Sequence, residues 1–179
     1  MDISAAIYKN FLYLCSRSYL TVGSMSRVPE PRPVYTTPAD ASERTVVLWV
    51  SRHEPLPAQL RALEQKLGAI EVQQLVGIIP SAEFVAEVAQ KLGAKIVVPV
   101  LPLSFIARLS ELARRQGFTI LMAKMREVAR VQSREEAEKL VAEAPEWRTA
   151  VEYSGGVYRV WEFERFEKVV RIEVVTEPW

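Results

Sequence analysis

Apolar and polar positions alternate along this chain with two periods, one of strands and one of helices. Residues 45–51, TVVLWVS, form a continuous β-branched and aromatic run, the pattern of a strand covered on both faces. Leu56, Leu60, Leu63 and Leu67 then recur at steps of four, three and four, one face of an amphipathic helix that Gly68 stops. A second strand is expected within 69–79, followed by a helix capped by Ser81, with Phe84, Val85, Val88 and Leu92 inward and Gly93 at its end. AKIVVPVLP, 94–102, reads as a third strand, in which Pro99 marks a bulge or the strand's end. Phe105, Ile106, Leu109 and Leu112 give a third helix closed by Gly117. FTILMAKM, 118–125, gives a fourth strand, and Ser133 with Glu136 forms a capping box for a fourth helix.

The last segment changes character. TAVEY, SGG and VYRVWEFE predict a β-hairpin on a glycine turn, and KVVRIEVVTEP predicts one more strand, all antiparallel and near a sheet edge. The expected architecture is therefore a Rossmann-like three-layer α/β sandwich, a mostly parallel sheet with C-terminal antiparallel strands, spanning 45–179. Residues 26–44 carry four prolines and small polar residues and read as an extended or disordered linker, so 1–44 is expected to be an N-terminal extension and linker. Residues 5–22 are partly apolar, but Lys9 and Arg17 interrupt them and no basic region precedes a clean apolar stretch, against a secretory signal. Met25 is an alternative natural start.

Composition narrows the function classes. The net charge is +1, from 23 basic and 22 acidic residues in 179, which argues against duplex DNA as a partner. Cys15 and His53 are the chain's single cysteine and single histidine, so neither a disulfide nor a Cys- or His-rich metal site is expected, and a reducing cytoplasm fits. No run is long and apolar enough to be read as a membrane span. One asparagine among many ionic residues hints at a thermophile.

In open α/β sheets ligands bind beyond the carboxyl ends of the parallel strands. That rule selects Ser51, Arg52, His53 and Glu54 after the first strand, Ser81 after the second, Ser104 after the third, and Lys124 and Arg126 with Glu127 at the end of the fourth. Two or three cations, an imidazole and helix N-termini on one rim suit a phosphate-bearing ligand, with His53 as a proton carrier near neutral pH. Polar strand ends are also ordinary solvated turns, and Ser81 and Ser104 are natural helix caps. The aromatic group Tyr153, Tyr158, Trp161, Phe163 and Phe166 is assigned to core or dimer interface rather than to base stacking. No G-x-G-x-x-G, P-loop, G-x-S-x-G or clustered acidic metal motif occurs, and no cofactor is expected.

The run VVLWV into Ser51-Arg52-His53, followed by helix residues including Gln59, resembles a feature of small CRISPR-associated Rossmann-like proteins, some of which are ring nucleases. The resemblance covers about twenty residues plus the α/β layout. It implies metal-independent cleavage of cyclic oligoadenylate messengers in type III CRISPR defence, by attack of a ribose 2′-OH on the adjacent phosphate. Arg52, with Lys124 or Arg126, would bind the phosphate. His53 would transfer the proton, and Ser51 would hold a phosphate oxygen or orient His53, within a homodimer. Two readings compete with it: a non-enzymatic nucleotide- or phosphate-binding sensor, and a viral or mobile-element interaction protein in which this rim is plain surface.

Overall fold

The computed structural model describes residues 28–38, 43–173, 175 and 177. The chain is α/β, with a seven-stranded mixed sheet that curls into half a barrel. The strands are β1 (Pro31–Thr36), β2 (Thr45–Val50), β3 (Ile70–Leu75), β4 (Ile96–Pro99), β5 (Thr119–Val131), β6 (Arg148–Tyr153) and β7 (Val157–Lys168). The described helices are α1 (Pro57–Leu67), α2 (Ala82–Leu92), α3 (Leu103–Gln116) and α4 (Arg134–Ala142). The strand order is β1-β3-β2-β4-β5-β7-β6.

Three expectations about the sheet are corrected. Pro31–Thr36, expected as linker, is an edge strand antiparallel to β3, so the sheet begins before Thr45. Pro31 and Pro33 are tolerated because an edge strand need not donate on its outer side. The sheet is not mostly parallel: β2–β3, β2–β4 and β4–β5 run parallel, while β1–β3, β5–β7 and β6–β7 run antiparallel. The strand expected within 168–178 does not form among the described residues; β7 instead runs on to Lys168, and Val170 beyond it is exposed. The hairpin stands as expected: β6 and β7 are joined through Gly155 and Gly156 at φ 89° and 73°, angles that glycine adopts without a Cβ penalty. Residues 1–24 and Met25 lie outside the described residues.

Both faces of β2 are buried, which is why TVVLWV lacks alternation. Leu48 and Val50 join Val85, Ile106 and Leu109 of α2 and α3. Val47 and Trp49 join Leu63 of α1 on the opposite face. The chain therefore reverses its direction of travel at β2: α1 leads to β3 on one side, α2 leads to β4 on the other.

β5 explains the curl. It pairs with β4 only at Ile96–Thr119 and Val97–Ile120, then leaves and pairs with β7 along its remaining length. Register shifts after Lys124 and after Glu127 leave Glu164 and Val128 as extra residues, and such bulges bend the strand and deepen its twist. The concave face wraps α1. The Ala58 N–H donates to the Glu146 carbonyl at 3.0 Å, and Arg61 pairs with Glu146 at 2.8 Å. Phe166 meets Trp49 edge-on at 6.5 Å between centroids, and Phe163 lies 5.0 Å from Phe166.

Candidate functional site

β2 and β4 end side by side, and the loops that leave them diverge to opposite faces. A cavity of about 120 Å³ opens there, on the α1 side, between the carboxyl ends of these strands and the β5–β7–β6 hairpin. Its walls are mostly apolar: Trp49, Leu56, Val100, Met125, Val151 and Trp161, closed off by Pro99 and Ala123. Ser51, His53, Glu54, Gln59 and Thr149 supply its polar groups.

The loop after β2 is fixed by its own backbone. The buried Ser51 Oγ accepts from the His53 N–H at 3.0 Å, and the Trp49 indole Nε1–H donates to the His53 carbonyl at 2.8 Å. Gln74, on β3 and with no exposed surface, donates from Nε2 to the Ser51 carbonyl at 2.9 Å and accepts from Arg32 at 3.0 Å. A strand residue from the expected linker thus reaches the rim, where Arg32 also approaches Glu54 at 3.8 Å.

The side chains of Arg52, His53 and Glu54 are exposed; His53 and Glu54 line the cavity, and Arg52 stands beside them in contact with His53. Arg52 Nε–H donates to His53 Nε2 at 3.3 Å, so this imidazole nitrogen carries no proton in the pair. Loss of solvation, followed by the Arg52 charge, lowers the His53 pKa from its usual 6.5. The residue is exposed overall, yet it lines the cavity, which withholds water from part of the ring. In this pair the Nε2 lone pair is taken by the Arg52 N–H and Nδ1 carries the neutral ring's proton, so the imidazole can receive a proton only once Arg52 turns to another acceptor, such as an anion.

α1 begins with Pro57 at its first position, where the missing N–H costs nothing. Gln59 Oε1 accepts from the Leu56 N–H at 2.8 Å, the glutamine half of a capping box; leucine has no oxygen to supply the other half.

The structure brings together Ser51, Arg52, His53 and Glu54 of the expected set, and no others. Ser81 caps α2 by accepting from the Phe84 N–H at 3.1 Å, and does not line the cavity. Ser104 is neither cap nor lining: it stands exposed in the first turn of α3, whose N-cap is Pro102. Lys124 and Arg126 do not end a strand, because β5 continues to Val131. Strand alternation gives Ala123 and Met125 to the cavity and turns Lys124 and Arg126 to the other face. There Arg126 pairs with Glu162 at 2.6 Å and Lys124 with Glu164 and Glu167 at 3.9 Å. Arg148 holds the same Glu162 at 2.7 Å, and the guanidiniums of Arg148 and Arg126 lower its carboxyl pKa.

Sequence reasoning missed most of the cavity wall. Trp161, placed in the core or an interface, is buried and lines the cavity. Two signals were present: Pro99 marks the end of β4, and Gln59 is a polar residue in the buried part of an apolar helix face. Thr149 and Val151 carried none, because their contribution depends on how far the hairpin folds back. Among the described residues, no cluster of three or more His, Cys, Asp or Glu side chains could hold a metal, and no helix is long and apolar enough to cross a membrane.

No family model, no curated protein and no solved structure matches the chain.

Proposed function

We propose that the chain binds a nucleotide, with a flat heterocyclic ring in the cavity and phosphate at the mouth. The observation that carries this reading is the cavity's place: a mostly apolar slot between the ends of β2 and β4, with His53 in its lining and Arg52 in contact with His53. Strands β3-β2-β4-β5 are read as a Rossmann-like core, in which ligands sit where the chain reverses its direction of travel. A cavity of about 120 Å³ suits one ring rather than a drug-sized molecule, which needs about 300 Å³ or more. Trp49 and Trp161 offer apolar ring surface to such a group. Outside, Arg52 and Arg32 supply positive charge against the single carboxylate of Glu54.

A second reading adds chemistry to the same site: metal-independent cleavage of a cyclic oligoadenylate by a ring nuclease. It is favoured by the Arg52–His53 contact, because a phosphate that draws the guanidinium to itself would free Nε2 of a neutral imidazole beside it. His53 would take the proton of the ribose 2′-OH while Arg52 holds the phosphate whose charge grows. The phosphate grip would rest on Arg52 and Arg32, since Lys124 and Arg126 face away.

One experiment separates the readings. AMP, ATP and cyclic tetra- and hexa-adenylate are titrated calorimetrically in EDTA, and the rings are then followed for linear products. Binding without turnover supports a sensor. Turnover that His53→Ala removes, with affinity kept, supports the nuclease. No heat with any of the four sinks both, and leaves the rim as ordinary surface.

A further inference from the structure

Gln59 is 5% exposed and lines the cavity. Its amide cannot turn freely, because Oε1 is held by the Leu56 N–H at 2.8 Å and only an oxygen can accept that proton. The amide nitrogen is therefore fixed on the opposite side, beside Met125, another wall residue. Its only acceptor among the described residues is Met125 Sδ at 3.7 Å, a weak partner for a buried N–H2 group. Elsewhere in the lining the Trp49 Nε1–H goes to the His53 carbonyl and Ser51 Oγ receives the His53 N–H, while the Thr149 hydroxyl also faces the slot and the buried Trp161 Nε1–H has no partner among the described residues. Gln59 Nε2 is thus a preoriented donor, weakly used, in the wall of a mostly apolar slot.

We propose that Gln59 determines specificity, selecting a heteroaromatic ring that enters with an in-plane acceptor, a ring nitrogen or an exocyclic carbonyl oxygen, toward its Nε2. This rests on the ring-binding reading above and adds the polarity of the edge that is read. A ring with only C–H at that edge leaves the buried amide with nothing but sulfur. A ring with a donor there sets two N–H groups against each other. A donor in the wall discriminates by the cost of leaving it unpaired, and a loss of about tenfold in affinity is the expected size.

The test uses two variants and two probe pairs. Gln59→Glu keeps an oxygen for the Leu56 N–H while replacing the donor by an acceptor; Gln59→Met removes both and keeps the length. The first pair is pyridine and benzene, followed by ligand-observed NMR and free of any phosphate. The second is AMP against its 1-deaza, 3-deaza and 7-deaza analogues, in which one ring nitrogen becomes C–H. The expected result is a pyridine preference of about tenfold in the native protein that both variants abolish, and one deaza analogue bound about tenfold more weakly by the native protein alone. Melting curves identify a variant that fails to fold, in which case the other variant decides. Equal binding of pyridine and benzene, or a preference that survives both substitutions, overturns the proposal. Pyridine selectivity with no AMP binding upholds the donor and overturns the nucleotide reading instead.

Discussion

Trp49 and His53 are joined by one hydrogen bond, from the Trp49 indole Nε1–H to the His53 carbonyl at 2.8 Å. It ties the end of β2 to the loop that carries the chain's only imidazole, and the same indole forms a wall of the cavity. Trp49→Phe keeps an aromatic wall and removes the donor. The expected cost is about 1–3 kcal/mol, from the lost bond and the smaller ring, with weakened ligand binding. Urea unfolding and calorimetric titration check both.

Gln74 bridges Arg32 and the Ser51 carbonyl from a fully buried position. Gln74→Leu leaves that carbonyl without its side-chain donor and is expected to destabilise by about 1–3 kcal/mol. A lower denaturation midpoint at unchanged slope is the expected signature.

His53 titrates alone, so its ring protons give one NMR curve. Its midpoint is expected below 6.5, because lost solvation and then the Arg52 charge both disfavour the imidazolium. Arg52→Gln should raise the midpoint only part of the way, since the larger cause remains. Below 6.5 the unfolded chain binds this proton more readily than the folded one. The His53 contribution to stability is therefore complete above 6.5 and lost as pH falls toward the folded value. His53→Gln should flatten that part of the stability–pH curve, and a midpoint at or above 6.5 would contradict the packing described.

The opposed faces of β5 give a paired test. Arg126→Gln and Lys124→Gln should leave ligand affinity within twofold of the native protein, about the scatter of such measurements, because both side chains face away from the cavity. Arg52→Gln should weaken a phosphate-bearing ligand by about tenfold, in a salt-dependent way. Equal losses from all three would place the ligand elsewhere.

Ala123→Leu directs a larger apolar side chain into the cavity. Ligand binding should disappear while the melting temperature holds or rises, because the added methylenes fill a mostly apolar space. Thermal melts and calorimetry together separate this from simple unfolding.

The local pattern of this chain was legible because period and capping are properties of neighbours in sequence. The leucines of α1, the Ser81 and Ser133 caps and the Gly155–Gly156 turn stand where the sequence puts them. The rim after β2 was legible too, since a strand must end where TVVLWV meets Ser51, Arg52 and His53. Lys124 and Arg126 were misplaced for a definite reason: the end of β5 was inferred from where its apolar run stops. Inside the sheet, pairing with β7 and ion pairs to Glu162 and Glu164 carry the strand on through charged residues. Pro31 and Pro33 hid β1 in the same way, because proline vetoes only a central strand.

The sequence by itself determined an α/β chain in which the strand TVVLWV runs into Ser51, Arg52 and His53, because backbone conformation and burial period are written locally. Only the tertiary structure decided that β5 leaves β4 and that the bulged hairpin curls back over α1. It also decided that Met125, Thr149, Val151 and Trp161, far apart in sequence, enclose one cavity with Gln59 and Trp49. The physical reason is that a cavity is the space left between packed elements, and its walls depend on strand order, register and curl, which no single segment carries.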